Sequence, residues 1–216
     1  MKIVEPGYEI LDEISEGGME ELKKIERIGR LCYKSEDKIT EDGESAKKFV
    51  AGLIKRGHEA MIEHSQLSVL FICDRGVSHE LVRHRLCSFA QESTRYCNYS
   101  KDEKFPGGVA FIRPYFYESD PEKMKEWETA CSDSEHWYIQ AIKRGATPQE
   151  ARTVLNNSTK TEIVVTANYR NWRQIFKLRT APGAHPQIRQ LLIPLLAELK
   201  EKLPIIFDDI EVPEAM

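Results

Sequence analysis

The chain has 216 residues, 41% of them hydrophobic, and a formal net charge of −4, which is typical of one domain spanning 1–216 and disfavours binding to nucleic acids. Its five cysteines form no C-x-x-C pair, which argues against a disulfide framework and a structural zinc site. The sequence shows neither a signal peptide nor a run of about 18 apolar residues, so we expect a cytoplasmic protein that does not enter a membrane.

The first half of the chain is predicted to contain three helices and one strand. Apolar residues recur at three-residue steps in 19–33, which indicates a helix, and a second helix is predicted over 45–56. The apolar, β-branched segment 66–74 predicts a buried strand. Ser78 is the expected N-cap of a short helix that reaches about Arg85.

The second half is predicted to contain two strands and four helices. In chain order they are a strand over 107–114, helices over 121–144 and 147–155, a strand over 159–168, and helices over 171–179 and 185–203. Thr147 is the expected N-cap of the helix over 147–155, with proline at its first position and Glu150 at its third. Asn171 is the expected N-cap of the helix over 171–179. Because no βαβ rhythm is present, we predict an α+β fold with a mostly antiparallel sheet flanked by helices.

Segment 83–96 has the densest set of polar residues. Three arginines and a histidine lie within thirteen residues, beside hydroxyl groups and an amide. Guanidinium groups bind phosphate through two parallel, charge-assisted hydrogen bonds, and Ser93 could add a hydroxyl donor. Two alternatives remain open: a solvated basic face paired with Glu80 and Glu92, or a recognition element for nucleic acid, which the acidic net charge disfavours.

A second polar cluster follows the last predicted strand at 168–170. The next helix carries one face formed by Trp172, Ile175, Phe176 and Arg179. An arginine on such an apolar face is partly desolvated, so it should hold an anion or a polarised carbonyl. The alternative is a side chain whose stem packs on the core while its head reaches water, and Arg152 has the same ambiguity.

A third cluster, at 57–64, precedes the buried strand. His58, Glu59 and His64 suggest the ligands of a metal hydrolase. The two histidines are six residues apart, however, whereas a spacing of four places two imidazoles on one helical face. We therefore expect no metal here and interpret both histidines as ordinary hydrogen-bonded residues.

In 83–93 the chain reads Arg-His-Arg, seven further residues, and Ser, which resembles the signature of the flavin-dependent thymidylate synthases. Segment 57–64 is similar to the upstream flavin segment of that family. Further positions match its downstream elements in order and spacing, namely Arg152, 168–170, Gln174 and 178–179. The resemblance extends from about Ile28 to the final helix.

The resemblance implies reductive methylation of dUMP to dTMP for de novo thymidylate synthesis. Methylenetetrahydrofolate would supply the carbon, and FAD reduced by NADPH would supply the hydride. The sequence contains no G-x-G-x-x-G, so side chains would have to hold the flavin pyrophosphate. The family forms its active sites between the subunits of a homotetramer, and we expect the same assembly here.

The resemblance also assigns site residues. Those expected to bind FAD are His58, Ala60, Arg83, His84, Arg85, Gln91, Asn168, Tyr169, Arg170 and Gln174. Those expected to bind dUMP are Glu80, Leu81, Val82, Arg83, Gln91, Glu92, Ser93, Thr94, Arg95, Arg152 and Arg179. Ser93 and Arg95 would contact the phosphate, which Arg152 would reach from another subunit, and Arg179 would be the catalytic residue against the uracil ring.

Four positions depart from forms that are frequent in the family. Ala60 replaces a hydroxyl residue, Glu80 a neutral glutamine, Gln91 a glutamate and Gln174 an asparagine.

Arginine stays protonated, so the expected role of Arg179 is electrostatic. Neither Ser93 nor the cysteines at 87 and 97 are expected to act as nucleophiles, since no base is evident beside Ser93.

Overall fold

A computed structural model describes residues 1–101 and 103–213. The helices are α1 Met19–Leu31, α2 Glu44–Lys55, α3 Arg75–Leu81, α4 Pro121–Lys143, α5 Pro148–Ala151, α6 Tyr169–Arg179, α7 Pro186–Lys202 and α8 Pro204–Phe207. The strands are β1 Lys2–Val4, β2 Gly7–Ile10, β3 Gln66–Asp74, β4 Ser88–Gln91, β5 Ala110–Ile112 and β6 Lys160–Asn168. No helix among these described residues is long and apolar enough to cross a membrane.

The strands form one antiparallel sheet and one parallel pair, which confirms the α+β prediction. The larger sheet has four strands in the order β2-β3-β6-β4. The smaller sheet pairs β1 with β5, with Lys2 opposite Ala110 and Val4 opposite Ile112. Strand β3 has the bounds that its apolar run predicted, and β6 begins one residue later than expected.

Contacts between residues divide the chain into two compact units. Unit 1 comprises Met1–Tyr8, Leu70–Arg83 and Phe89–Val164. Unit 2 comprises Glu9–Val69, His84–Ser88 and the chain from Val165 onward. Most residues expected to bind the nucleotide fall in unit 1, and most of those expected to bind the flavin fall in unit 2.

Unit 1 is built around helix α4. Its apolar core is formed by Tyr99, Val109, Phe111, Cys131, Tyr138 and Ala151. Trp127 on α4 donates from its indole nitrogen to Ser158 Oγ at 2.9 Å, which ties the helix to the segment just before β6. Helix α5 opens with the predicted capping box, since the side chain of Glu150 accepts from the backbone N–H of Thr147.

Unit 2 is built around helices α6 and α7. The predicted apolar face of α6 is buried at Trp172, Ile175 and Phe176. The Trp172 indole donates to the Leu67 carbonyl at 2.9 Å, so α6 is fixed against β3 within this unit. Phe176 packs edge-on against Phe207 of the short helix α8, which sequence periodicity did not predict.

Two helix boundaries differ from the prediction because another residue is the N-cap. Asp74, not Ser78, caps α3 by accepting from the Val77 N–H at 2.8 Å, and the helix ends at Leu81. Arg83–Arg85 therefore lie beyond the helix, and a short strand, β4, follows. Asn168, not Asn171, caps α6 by accepting from the Asn171 N–H at 2.9 Å.

Strand and helix ends explain the remaining differences. Strands β1, β2 and β4 have four residues or fewer, which is too short for a clear alternating pattern. Helix α5 ends at Ala151, so Arg152 lies in a 3-10 turn instead of the middle of a helix. The five cysteines are all free.

Candidate functional site

The residues of unit 1 that are expected to bind nucleotide are centred on a tight turn over 93–97. The Ser93 carbonyl accepts from the N–H groups of Tyr96 at 3.1 Å and Cys97 at 2.9 Å. Ser93 Oγ accepts from the Arg95 N–H at 3.3 Å, and Arg152 Nη1 donates to Thr94 Oγ1 at 3.3 Å. The structure thus brings Ser93, Thr94, Arg95 and Arg152 of one chain together.

Three arginines of this unit are open to solvent. Arg83, Arg95 and Arg152 are exposed, and in residues 1–101 and 103–213 no carboxylate forms an ion pair with any of them. The Arg95 guanidinium lies 5.5 Å from the centre of the Tyr96 ring, which is a cation–π contact. Apart from the Arg152 bond to Thr94, the donors of these groups are available to an anionic ligand.

The Glu92 side chain, directly before the 93–97 turn, is held by two hydrogen bonds. Its carboxylate accepts from the Tyr99 hydroxyl at 2.6 Å and from Lys160 Nζ at 3.0 Å. Burial, and then the bond to Glu92, raise the pKa of Tyr99, so its hydroxyl remains a donor. The Glu92 side chain thus accepts one hydrogen bond on each carboxylate oxygen within unit 1, and its backbone N–H donates to the Glu162 carbonyl at 2.8 Å.

The residues at the end of α3 differ in their exposure to solvent. Leu81 is 1% exposed, so its side chain belongs to the core and only its backbone can face a ligand. Val82 is exposed, Glu80 is half-buried, and the Arg83 N–H donates to the Glu80 carbonyl at 3.3 Å. Gln91 is half-buried and donates from Nε2 to Ser78 Oγ at 2.9 Å and Thr161 Oγ1 at 3.2 Å.

Arg179 and His84 form the central pair of unit 2. Arg179 is half-buried, and its Nε donates to His84 Nε2 at 3.1 Å. Burial, and then the positive charge of Arg179, lower the pKa of His84 below its ordinary value. His84 is therefore neutral at pH 7 and accepts the hydrogen bond, which orients the guanidinium.

A small pocket adjoins this pair. It has a volume of about 180 Å³ and is lined by His84, Arg85, Leu86, Cys87, Asn171, Gln174 and Ile175. Asn171 Nδ2 donates to the Leu86 carbonyl at 3.0 Å, which fixes the 84–87 segment on α6. Ligand pockets typically measure about 300–1,000 Å³, so this pocket could enclose only part of a dinucleotide.

The residues at 168–170 have different roles in the structure. The Asn168 side chain caps α6, and Tyr169 is 1% exposed with its ring against Phe207. Burial raises the pKa of Tyr169, and its backbone N–H donates to the Ser65 carbonyl at 3.1 Å. Only Arg170 has an exposed side chain here, and it pairs with Glu63.

Arg173 is a buried residue that the sequence interpretation missed. It is 1% exposed and donates to Glu59 at 3.0 Å, to both carboxylate oxygens of Asp209 at 2.6 and 2.7 Å, and to the Ile206 carbonyl. A signal was present, since Arg173 lies four residues after Tyr169 and three before Phe176 on the apolar helix face.

The contacts of Arg173 with Glu59, Asp209 and the Ile206 carbonyl, called here the Arg173 clamp, hold segment 57–64 in place. This segment resembles the upstream flavin segment of the family. Glu59 stands between His58 and Ala60, both exposed, in a 3-10 turn over Glu59–His64. Arg173 holds the start of this turn and the Arg170–Glu63 pair holds its end. The clamp therefore determines where the two expected flavin contacts lie within unit 2.

The described side chains offer neither a metal-binding group nor a reactive thiol at positions 87 and 97. Among the residues that the structure describes, no group of three His, Cys, Asp or Glu side chains is placed to hold a metal ion. Burial raises the pKa of Cys87 to about 11 and also raises the pKa of Cys97. Both thiols are thus protonated at neutral pH and are poor nucleophiles.

Comparison with known proteins gives consistent matches over most of the chain. The family model described as thymidylate synthase complementing protein matches residues 17–205. The flavin-dependent thymidylate synthase of Corynebacterium aurimucosum is 31% identical over 217 residues, which cover 93% of this chain and 84% of the relative. The Mycolicibacterium vanbaalenii protein of the same name is 32% identical over 205 residues, which cover 87% and 79%.

A solved structure shares the fold. It is the crystal structure of the UMP/dUMP methylase PolB from Streptomyces cacaoi bound with 5-Br dUMP, with a TM-score of 0.77 and 22% identity. The similarity covers 96% of each chain. At this level of identity the likeness supports the fold alone.

Proposed function

The chain belongs to the thymidylate synthase complementing protein family, that of the flavin-dependent thymidylate synthases, and from this premise we propose that it methylates dUMP to dTMP with FAD as cofactor. The family identifies it as a methyltransferase of thymidylate synthesis. The observation that carries the proposal for this chain concerns Arg83, Arg95 and Arg152, which are exposed and have no carboxylate partner among the described residues of an otherwise acidic protein.

The residues of unit 1 suit a nucleoside monophosphate. The 93–97 turn and Arg152 group the side-chain hydroxyls of Ser93 and Thr94 with two guanidinium groups within a single chain. Such a group recognises a phosphate dianion through charge-assisted hydrogen bonds. Arg152 is hydrogen-bonded to Thr94 of the same chain, so these two side chains could contact one phosphate without a second subunit. The proposal also includes a phosphate contact from another subunit.

The residues of unit 2 suit a flavin dinucleotide. Arg85 and Gln174 line the small pocket beside His84, and His58 and Arg170 are exposed on the 3-10 turn and on α6. These groups offer cationic donors for a pyrophosphate and amide groups for a ring imide. Since the pocket holds only part of a dinucleotide, we propose that neighbouring subunits of a homotetramer supply the remaining walls.

Arg179 is the proposed catalytic residue. Carbon 5 of uracil becomes nucleophilic when negative charge on N3 and O2 is stabilised. A guanidinium already oriented by neutral His84 would supply positive charge there without reorganisation. Bound FAD would supply the hydride that completes the methyl group.

The proposed stoichiometry requires two co-substrates. Methylenetetrahydrofolate donates the one-carbon unit and leaves as tetrahydrofolate, while NADPH and a proton supply the reducing equivalents and NADP⁺ is released. The support for this part is the family resemblance of the motif at 83–93 and the match over 17–205. The role of Ser93 in the proposal is to bind phosphate.

The test is direct. The purified protein is examined for flavin absorption, loaded with FAD, and then assayed for dTMP formation from dUMP, methylenetetrahydrofolate and NADPH, with each component omitted in turn. We expect dTMP only in the complete mixture. Flavin-loaded protein that binds dUMP but yields no dTMP would contradict the proposed reaction.

A further inference from the structure

The amide of Gln91 is held by two buried hydroxyl groups of unit 1. Gln91 Nε2 donates to Ser78 Oγ at 2.9 Å and to Thr161 Oγ1 at 3.2 Å. Ser78 and Thr161 are both 0% exposed, so water does not compete for these bonds. Gln91 is at the end of β4, directly before the segment that carries the 93–97 turn.

The hydrogen bonds of Ser78 determine which end of the amide faces inward. A hydroxyl group can donate one proton and accept others, so by itself it would tolerate either orientation of a glutamine amide. The single Ser78 proton is directed to the Arg75 carbonyl at 3.0 Å. Ser78 Oγ can therefore only accept from Gln91, and the NH₂ group must point at it.

This orientation leaves the Gln91 carbonyl oxygen for a ligand. Within residues 1–101 and 103–213 Gln91 Oε1 accepts no hydrogen bond, and the Gln91 residue is half-buried. A carbonyl oxygen can only accept. The ligand group that meets Gln91 must consequently carry a donor hydrogen.

We propose that Ser78 and Thr161 are positioning residues that present Gln91 Oε1 as a fixed acceptor for a donor group of the bound ligand. This inference rests on the proposed function. Apart from the phosphate, dUMP has two donors, the imide N3–H and the 3′-hydroxyl, and the flavin ring has an imide N–H. A carboxylate at position 91 would place acceptors against Ser78 Oγ, whose proton is already used, so the amide and the serine are a matched pair.

The first experiment measures dUMP affinity of the flavin-loaded protein by calorimetry. Ser78→Ala and Thr161→Val each remove one hydroxyl that accepts a hydrogen bond from the Gln91 amide. We expect Ser78→Ala to raise the Kd for dUMP about five- to tenfold. Thr159→Val is the matched control, because Thr159 is a similarly buried threonine whose hydroxyl bonds, within the described part of the chain, only to the Asn156 carbonyl. Its Kd should stay within about twofold of the unaltered protein.

A double-mutant cycle separates positioning from general destabilisation. If Ser78 acts through Gln91, Ser78→Ala should have no further effect on Kd in a Gln91→Ala background. Equal losses in both backgrounds would overturn the proposal, as would a Ser78→Ala protein that binds dUMP and FAD with unchanged affinity.

Ligand analogues identify the donor. The 3′-deoxy analogue of dUMP tests the hydroxyl, N3-methyl-dUMP tests the pyrimidine imide, and FAD affinity tests the flavin imide. The analogue that lacks the contacted donor should bind the unaltered protein more weakly but lose this penalty in Ser78→Ala. If the unaltered protein bound neither dUMP nor FAD, the proposed function itself would fail.

Discussion

The arginines expected to bind phosphate in unit 1 contrast with two arginines of unit 2. In unit 1, Arg83 and Arg95 are exposed, and Arg152 bonds only to a threonine hydroxyl among the described residues. In unit 2, Arg173 is buried between two carboxylates, and Arg179 is bonded to His84. The difference teaches that partners, not residue type, separate an arginine that is available to an external anion from one that orders the protein around it.

Arg179→Ala gives the largest expected effect on this comparison. The substitution removes a guanidinium whose Nε donates to His84, so we expect turnover to fall about 10²- to 10³-fold while FAD and dUMP affinities change little. The measurement is single-turnover dTMP formation at saturating dUMP. Full activity in this variant would remove Arg179 from the catalytic role and leave it a structural arginine.

Arg173→Met tests the structural role of the buried arginine. It leaves the carboxylates of Glu59 and Asp209 without their partner, and we expect a loss of about 3 kcal/mol in the free energy of unfolding. Arg170→Met is the matched control, because its pair with Glu63 is exposed and worth at most about 1 kcal/mol. Urea denaturation measures both, and equal losses would mean that the clamp contributes no more than a surface pair.

Arg95→Gln tests the anion-binding role of unit 1. Loss of the charge should weaken dUMP binding about 10- to 100-fold, which corresponds to one charged hydrogen bond, with little change in turnover at saturation. Arg113→Gln serves as control, since Arg113 is in the same unit but pairs with Glu5. A loss confined to turnover, with unchanged dUMP affinity, would contradict phosphate binding by Arg95.

The smallest expected effect concerns His84 and pH. Its pKa is lowered by burial and then by Arg179, so the unfolded chain takes up the proton first as the pH decreases. The stability that neutral His84 contributes is present above the ordinary value of 6.5 and is lost as the pH falls toward the lowered pKa.

A His84→Gln variant keeps a hydrogen-bond acceptor but cannot titrate, so its free energy of unfolding should decline less on acidification. Urea denaturation above pH 6.5 and about one unit below it compares the two proteins. Parallel declines would show that His84 does not titrate in this range.

Much of the fold and part of the site followed from local patterns. The apolar run at 66–74 and the alternation before Asn168 located β3 and β6, and the motif at 83–93 identified the family. Such features depend on residues that are neighbours in sequence, where periodicity and cap chemistry act. Strand β4 was missed because four residues carry too little pattern.

The sequence alone determined which residue types were available, including the arginines, the hydroxyl groups and the acidic background. Only tertiary structure decided their roles. Glu92 accepts hydrogen bonds from Tyr99 and Lys160, and Arg173 donates to Glu59 and Asp209. These partners are 7 to 114 positions apart in the sequence. Burial and long-range hydrogen bonds set the charge, orientation and accessibility of each group, and no local pattern encodes them.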